Sequence, residues 1–251
     1  MAKYTLFIVF AAAWLIGCGQ QNPADSDESV PAQALYDPAD KTIYALACDG
    51  CNDTVLVYLR LPFDGSDPDT LQVLNASKQH RVMGMPHVGD KMAILRCEDD
   101  TTLADLVIVT EQLHGQWCYE VYPALRRRAG MEGQPPAAES ESADSLKKML
   151  NTPREYGYVF KSDNMMFTLG AQFQRASSDD MSPVEYPKVE FYNEWKIFNG
   201  RLVMLRTKTD SLGVMNILAS DTADVVSLRP DSLVLRMHGE ERGYYAKHTD
   251  E

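Results

Sequence analysis

Cys48 and Cys51 form the sharpest chemical motif in the chain, a Cys-x-x-Cys that encloses a turn-like Asp-Gly pair. Such a pair can be a redox dithiol, half of a zinc site or part of a disulfide framework. Cys97 and Cys118 are the further cysteines that a zinc site or a second disulfide would need. Redox pairs usually place the first cysteine at a helix N-terminus, whereas this motif lies between two strand-like segments. With the export signal described below, which implies an oxidising setting, we expect structural disulfides or inert thiols before zinc, and zinc before redox chemistry.

Two other groups have side chains of the types that bind metals. One lies between positions 80 and 92 and comprises His80, Met83, Met85, His87 and Met92. Thioether and imidazole ligands suit Cu(I), but methionine also fills gaps in protein cores, and we favour the core interpretation. The other group, Asp64, Asp67 and Asp69, lacks the residue order of an EF-hand and is expected to be a solvated acidic turn.

The sequence carries no catalytic signature. It has no G-x-S-x-G nucleophile elbow, no H-E-x-x-H zinc motif and no glycine-rich phosphate loop. Its 36 acidic and 24 basic residues give a formal net charge of -12, which repels nucleic acid. We therefore predict a protein that is not an enzyme, needs no cofactor and does not bind nucleic acid.

The first 18 residues indicate export. Lys3 precedes an apolar run that closes with Leu15-Ile16-Gly17-Cys18, and this ending resembles the lipobox of bacterial lipoproteins. The run is too short for a membrane-spanning helix, which needs roughly 20 apolar residues. The resemblance implies that residues 1–17 are a signal peptide and that Cys18 is the lipid anchor. An ordinary cleaved signal, with Cys18 incidental, is the alternative.

The segment that follows, residues 18–40, is expected to be a flexible tether. It contains several acidic residues and prolines, no Lys or Arg, and few large apolar side chains. Together with the anchor, it predicts a cell-envelope protein held at the outer membrane by its lipid. The sequence leaves open whether the protein faces the periplasm or the cell surface.

Short strand-like segments separated by turn residues fill the rest of the chain, so the predicted fold class is all-β. Residues 41–112 predict a small N-terminal β-barrel of the OB or SH3 kind, between which strand spacing does not choose. Residues 126–145 interrupt the pattern as a loop or linker. Strand signals then resume as an antiparallel meander, in which Asn199-Gly200 is the strongest hairpin turn.

An ordered set of motifs within residues 113–248 resembles the lipocalin-like domains of exported Bacteroidetes lipoproteins. The set opens with Gly-x-Trp at 115–117 and continues through 156–164, 192–202, 221–223 and 228–235. The resemblance implies an antiparallel lipocalin-like barrel, closed at one end by the tryptophan, with a ligand cavity. The candidate ligand-contact residues are all aromatic: Trp117, Tyr119, Phe160, Phe167, Trp195 and Tyr245.

These features predict a lipid-anchored envelope protein that binds a small apolar or amphipathic ligand without catalysis. Since side chains can fill a small barrel completely, a structural or protein-interaction lipoprotein with no cavity is the first alternative. An envelope thiol or metal-binding protein that uses Cys48 and Cys51 is the second. The expected partners are the membrane, through the N-terminal lipid, a small apolar ligand, and an envelope protein.

Overall fold

The computed structural model describes residues 38–74, 79, 81–126, 143–171 and 182–247. The regular secondary structure of these residues is almost entirely β, which confirms the predicted fold class. The exceptions include the short helix α1 (Ala143–Leu150) and a 3-10 turn (Thr110–Leu113). The predicted signal peptide, Cys18, nearly all of the tether and most of the predicted linker lie outside the described residues. Within the described ranges, no helix is long and apolar enough to cross a membrane.

Six strands form the first sheet: β1 (Ile43–Ala47), β2 (Val55–Arg60), β3 (Asp69–Gln72), β4 (Val82–Met83), β5 (Lys91–Arg96) and β6 (Ala104–Val109). Strands β1 to β3 make an antiparallel meander and β5 returns to lie beside β1, which is a Greek-key arrangement. A parallel bridge between Gln72 and Leu103 joins β3 to the start of β6 and curls the sheet. Of the two kinds of barrel predicted, the arrangement matches the OB kind, a partly open Greek-key barrel.

The alternation of side chains in these strands accounts for the core of the small barrel. In β2, Leu56 and Tyr58 are buried while the residues between and beside them are more exposed. Ala45 and Ala47 of β1 repeat this pattern, and the small side chains let the curled strands approach closely. Period-two burial of this kind is what a sheet with one buried face requires.

Eight antiparallel strands form the second sheet. In spatial order they are β10 (Met166–Leu169), β9 (Arg154–Phe160), β7 (Gly115–Val121), β16 (Glu240–Lys247), β15 (Ser232–Met237), β14 (Met215–Leu228), β13 (Arg201–Thr209) and β12 (Glu194–Phe198). The edges meet where Met165 pairs with Glu194 and the Trp195 N–H donates to the carbonyl of Asn164. The sheet is therefore a nearly closed barrel, as predicted for a lipocalin-like domain. Two short strands, β8 (Ala124–Leu125) and β11 (Val184–Glu185), pair separately.

The sequence pattern predicts strands over residues 54–61, 91–96 and 116–122, for example, and β2, β5 and β7 lie within one residue of these positions. The structure differs from the pattern in two other places. The pattern predicts one strand over residues 189–198, but β12 begins only at Glu194, because the Tyr192 N–H donates instead to the Thr168 hydroxyl. Two predicted strands, 214–218 and 224–228, are parts of the single long β14. The Asn199-Gly200 hairpin is confirmed, since both residues have the positive φ that a type I′ turn requires.

The two barrels share one buried cluster. Met83, Ala93 and Ile108 from the first sheet pack in the same cluster as the interior of the eight-stranded barrel. The connection between the barrels is the 3-10 turn, and the predicted domain boundary between residues 112 and 113 falls within it. The small barrel is thus a cover for one end of the larger one.

A set of hydrogen bonds, here called the hairpin latch, fixes that cover in place. It consists of Asp40, Thr42, Tyr44, Asn199 and Gly200. The Asp40 carboxylate accepts from the Asn199 N–H at 2.9 Å, and the Thr42 hydroxyl accepts from the Gly200 N–H at 3.2 Å. Burial by itself raises the pKa of Asp40, but hydrogen bonds from Asn199, Thr42 and Tyr44 together lower it below its usual value.

Candidate functional site

The end of the eight-stranded barrel that faces the small barrel is sealed by aromatic side chains. Trp117, Phe160 and Trp195 are each less than 5% exposed, and the Phe160 and Trp195 rings meet edge to face at 5.4 Å. The Trp117 indole N–H donates to the Leu113 carbonyl at 2.8 Å, so its polar atom is satisfied within the core. We call this the closed end.

The opposite end, here called the mouth, encloses a cavity of about 230 Å³. Residues of β7, β9, β14, β15 and β16 supply most of its lining, and the segment before β12 and the turn residue His238 supply the rest. The lining residues are Tyr119, Tyr158, Val189, Glu190, Tyr192, Asp221, Leu235, Met237, His238, Glu240, Glu241, Arg242 and Tyr244. The interior therefore changes from apolar at the closed end to aromatic and charged at the mouth.

Three tyrosine rings pack together at the base of the mouth. Tyr119 meets Tyr244 edge to face at 5.2 Å, and Tyr158 lies 5.8 Å from Tyr244. The Arg242 guanidinium lies 4.6 Å from the centre of the Tyr119 ring and donates to the Tyr119 hydroxyl at 2.9 Å. The face of the Tyr119 ring thus already accommodates a cation, in the geometry of a cation–π contact.

Asp221 brings a carboxylate into the mouth, and its side chain is only 16% exposed. The Tyr192 hydroxyl donates to one of its oxygens at 3.3 Å, and the Thr222 N–H donates to the other at 2.8 Å. The His238 Nε2 lies 3.1 Å from that same second oxygen, on a turn residue with positive φ whose side chain is 77% exposed. Asp221 is therefore a largely buried anion whose ion-pair partner is an exposed imidazole.

The negative charge of Asp221 affects the pKa values of tyrosines elsewhere in the mouth. Burial, followed by the negative charge of Asp221 and its hydrogen bond, raises the pKa of Tyr192 to about 12. Burial is also the largest cause of the raised pKa values of Tyr158 and Tyr244, and Asp221 raises the pKa of Tyr158 further. These hydroxyls consequently stay protonated at neutral pH and remain hydrogen-bond donors.

The six aromatic residues that the sequence predicts as ligand contacts lie in three different places in the structure: the mouth, the closed end and the exposed surface. Tyr119 lines the mouth, whereas Trp117, Phe160 and Trp195 belong to the buried closed end. Phe167 lies beneath the Lys161 ammonium and is 38% exposed, since its neighbours Met166 and Thr168 are the buried residues of β10. Tyr245 is 40% exposed and donates to Glu155 at 3.0 Å.

Sequence reasoning did not find Tyr158, Tyr192, Asp221, His238 or Tyr244 as members of one site. They are distributed over more than 80 positions and meet only through the pairing of β7, β9, β14, β15 and β16. The sequence of β16 carries no signal that separates Tyr244 from Tyr245, because the two are adjacent and of the same type. The structure assigns Tyr244 to the interior, since it is buried between two exposed neighbours.

The four cysteines in the described chain are free thiols, so the predicted disulfides are absent from this structure. The Cys51 sulfur accepts from the Val57 N–H at 3.4 Å, while Cys48 contacts the Leu46 carbonyl and Cys97 is partly exposed. Cys118 is buried on β7, and burial is the main cause of its raised pKa. A thiol with a raised pKa is a weak nucleophile at neutral pH.

Within the described residues, the candidate metal ligands do not come together in one site. No group of three or more His, Cys, Asp or Glu side chains within them could hold a metal ion. Met83 and Met92 belong to two different buried clusters, while Met85 is 68% exposed; His80 lies outside the described residues. Asp69 turns away from the acidic loop to contact the Arg96 guanidinium at 3.3 Å.

Comparisons with known proteins leave the family open. No protein-family model matches the chain, and no curated protein matches it. Among solved structures, it is similar to a lipocalin-like protein from Bacteroides thetaiotaomicron, with 18% sequence identity and a TM-score of 0.26. That similarity covers 53% of this chain and 95% of the other protein. The description of the barrel therefore rests on the strand pairing of this chain.

Proposed function

We propose that this protein is a non-catalytic lipoprotein of the bacterial cell envelope that binds a small apolar or amphipathic ligand in the mouth of its eight-stranded barrel. The observation that carries the proposal is the contrast between a sealed end and an open end that encloses about 230 Å³. Concave sites with apolar walls and a few convergent polar groups are where proteins bind small molecules. Tyrosine rings supply the walls here, and Asp221 and Arg242 supply polar groups.

The envelope location in this proposal rests on the sequence. The lipobox-like ending at Cys18 supports attachment through a lipid, and the acidic segment behind it supports a tether. The outer membrane is the proposed site of attachment. Such a protein would present its mouth to an aqueous compartment outside the cytoplasm, where small molecules pass.

Native mass spectrometry tests the proposal directly. A Cys18→Ser form would be exported from its own host without the lipid and purified gently. We expect a reproducible mass excess over the polypeptide that disappears on denaturation and that is lost when Tyr244 is replaced by alanine in the mouth. The matched control is Tyr245→Ala, one position along on the exposed face of β16. A bare polypeptide mass for the unmodified mouth would contradict the proposal.

One observation favours a protein-interaction function as the second candidate. The hairpin of β13 and β14 extends past its pairing with β12 and β15, and its outer part exposes large apolar side chains. They are Leu212, Val214, Met215, Ile217 and Leu218, each more than half exposed. Exposed apolar surface of this kind marks interaction sites, so a ligand-free mouth would shift the function to this hairpin.

A further inference from the structure

We propose that the ligand of the mouth is a compact organic cation, such as a primary or quaternary amine, with Asp221 as its counter-ion and the tyrosine rings as its walls. This inference rests on the proposed function, because it names the ligand class of the same site. It depends on three features of the mouth: the faces of the tyrosine rings, the largely buried carboxylate of Asp221, and the ion pairs that the neighbouring charged residues form with one another.

The ring faces form the first step of the argument. The face of a tyrosine ring carries negative potential and attracts a cation that lies within about 6 Å of its centre. Tyr119, Tyr158 and Tyr244 pack with ring centres 5.2 and 5.8 Å apart, and Arg242 shows that one of these faces accepts a positive group. Arg242 belongs to an exposed stretch of β16, so its side chain can turn into solvent when a ligand cation takes its place on the ring.

The carboxylate of Asp221 forms the second step. A buried anion is costly unless a cation or several hydrogen-bond donors compensate it. Asp221 receives the Tyr192 hydroxyl and the Thr222 N–H, but its ion-pair partner His238 is an exposed imidazole. Because the His238 side chain is 77% exposed, water screens its attraction to Asp221. A ligand ammonium held in the mouth beside Asp221 would compensate the carboxylate more fully, and the hydroxyls of Tyr192 and Tyr158 lie nearby as further polar contacts.

The other charges around the mouth form the third step, because they are paired with one another. Arg206 lies 2.5 Å from Glu190, and Arg236 lies 2.6 Å from Glu241. With Glu190 and Glu241 paired in this way, the lining retains the carboxylates of Asp221 and Glu240 against Arg242 and His238. Because these carboxylates outnumber the one arginine, the lining disfavours an anionic ligand and favours a cationic one.

Size limits the ligand further. Pockets for drug-sized ligands usually enclose about 300–1,000 Å³, so a cavity of about 230 Å³ accepts only a compact molecule. One aromatic or short aliphatic group plus one charged head would fill it. The walls at Leu235 and Met237 provide the apolar contact for such a group.

The test compares three probes of nearly the same shape that differ in charge: 2-phenylethylamine, 2-phenylethanol and 3-phenylpropionate. Binding to the full chain carrying Cys18→Ser is measured by isothermal titration calorimetry at neutral pH, with benzyltrimethylammonium as a quaternary probe. We expect the amine to bind at least tenfold more tightly than the alcohol, with no binding of the carboxylate. The quaternary probe should bind too, because a cation–π contact needs no N–H donor.

Two asparagine variants on β14 identify the counter-ion. Asp221→Asn keeps the size of the side chain and should weaken the amine at least tenfold while leaving the alcohol unchanged. Asp224→Asn is the matched control, since Asp224 lies three positions along the same strand, is 42% exposed and pairs with Arg201. It should leave both affinities unchanged. Circular dichroism of each variant confirms that the barrel is folded.

The outcomes separate this inference from the proposed function. If the alcohol or the carboxylate binds as tightly as the amine, or if Asp221→Asn keeps the preference for the amine, the cation assignment is wrong and the ligand-binding mouth remains. If no probe binds but native mass spectrometry shows a host ligand, the cation assignment is again wrong. If no probe binds and the host protein carries no ligand, both proposals are wrong.

Discussion

The two ends of the eight-stranded barrel share strands but differ in the types of their inward-facing side chains. At the closed end β7, β9 and β12 contribute Trp117, Phe160 and Trp195, and the small barrel adds further apolar cover. At the mouth the same β7 and β9 contribute Tyr119 and Tyr158. Two residues along each strand, the inward side chain thus changes from one in the apolar core to a tyrosine whose hydroxyl lines the mouth. Position along the strand, rather than the identity of the strand, separates stability from recognition in this barrel.

The cover over the closed end explains why that end can be entirely apolar. The Asn199-Gly200 hairpin packs against the small barrel, where a Cβ atom on Gly200 would lie 3.2 Å from Leu106 of β6 and 3.3 Å from Leu95 of β5. The hairpin latch satisfies the backbone N–H groups that this close packing removes from water. The mouth has no comparable second sheet over it among the described residues, and its inward side chains are those that tolerate water.

The largest predicted effect is at the closed end. Trp117→Ala should lower the free energy of unfolding by about 3–5 kcal/mol, because it removes a fully packed indole and leaves a cavity. The Leu113 carbonyl would also lose its donor. Urea unfolding followed by far-ultraviolet circular dichroism measures the change. Tyr245→Ala, on the adjacent strand but 40% exposed, is the control and should cost under about 1 kcal/mol. Similar losses for both variants would contradict the assignment of Trp117 to the core.

Some features of this fold can be predicted from local sequence, and others cannot. The strand positions and the Asn199-Gly200 turn follow from local patterns, because alternation and positive φ are encoded by neighbouring residues. The choice between Tyr244 and Tyr245 depends on a register of one residue, which local hydrophobicity does not determine when both residues are tyrosine. Likewise, β7 and β16 pair across more than 100 positions, so nothing local places Tyr119 beside Arg242.

The same reasoning applies to the side chains that could do chemistry. Met83 and Met92 are close in sequence, but β4 and β5 place them in different buried clusters, in agreement with the core interpretation that the sequence favours. The carboxylate that matters in the mouth, Asp221, looks from sequence like an ordinary turn residue followed by threonine. Its significance arises because β14 is a single long strand that places Asp221 two positions from the buried Ala223, on the same inward face.

The second prediction concerns the hairpin latch, where we expect an intermediate loss in the free energy of unfolding. Asp40→Ala should cost about 1–3 kcal/mol, because it leaves the Asn199 and Thr42 N–H groups without their acceptor. The folded pKa of Asp40 is lowered, so its contribution to stability is present above the ordinary aspartate pKa and is lost as pH falls through the folded value. The stability difference between native and variant proteins should therefore shrink in acid.

Urea unfolding of both proteins at about pH 7 and about pH 3 measures this difference. Asp105→Ala, on an exposed position of β6, is the control and should change stability little at either pH. A difference that stays constant across this range would mean that the carboxylate of Asp40 is not what holds the hairpin against the small barrel.

The smallest predicted effect on stability is at the mouth. Asp221→Asn should leave the free energy of unfolding within about 0.5 kcal/mol of the native value, or raise it. The amide keeps an acceptor for Tyr192 or Thr222, and neutralising the side chain removes the cost of a largely buried charge. The lost attraction to His238 is small, since an ion pair with a 77% exposed partner contributes about 0–1 kcal/mol. Urea unfolding at neutral pH is the measurement. A loss of more than about 2 kcal/mol would place Asp221 with Trp117 as a structural residue and would remove the distinction between the two ends.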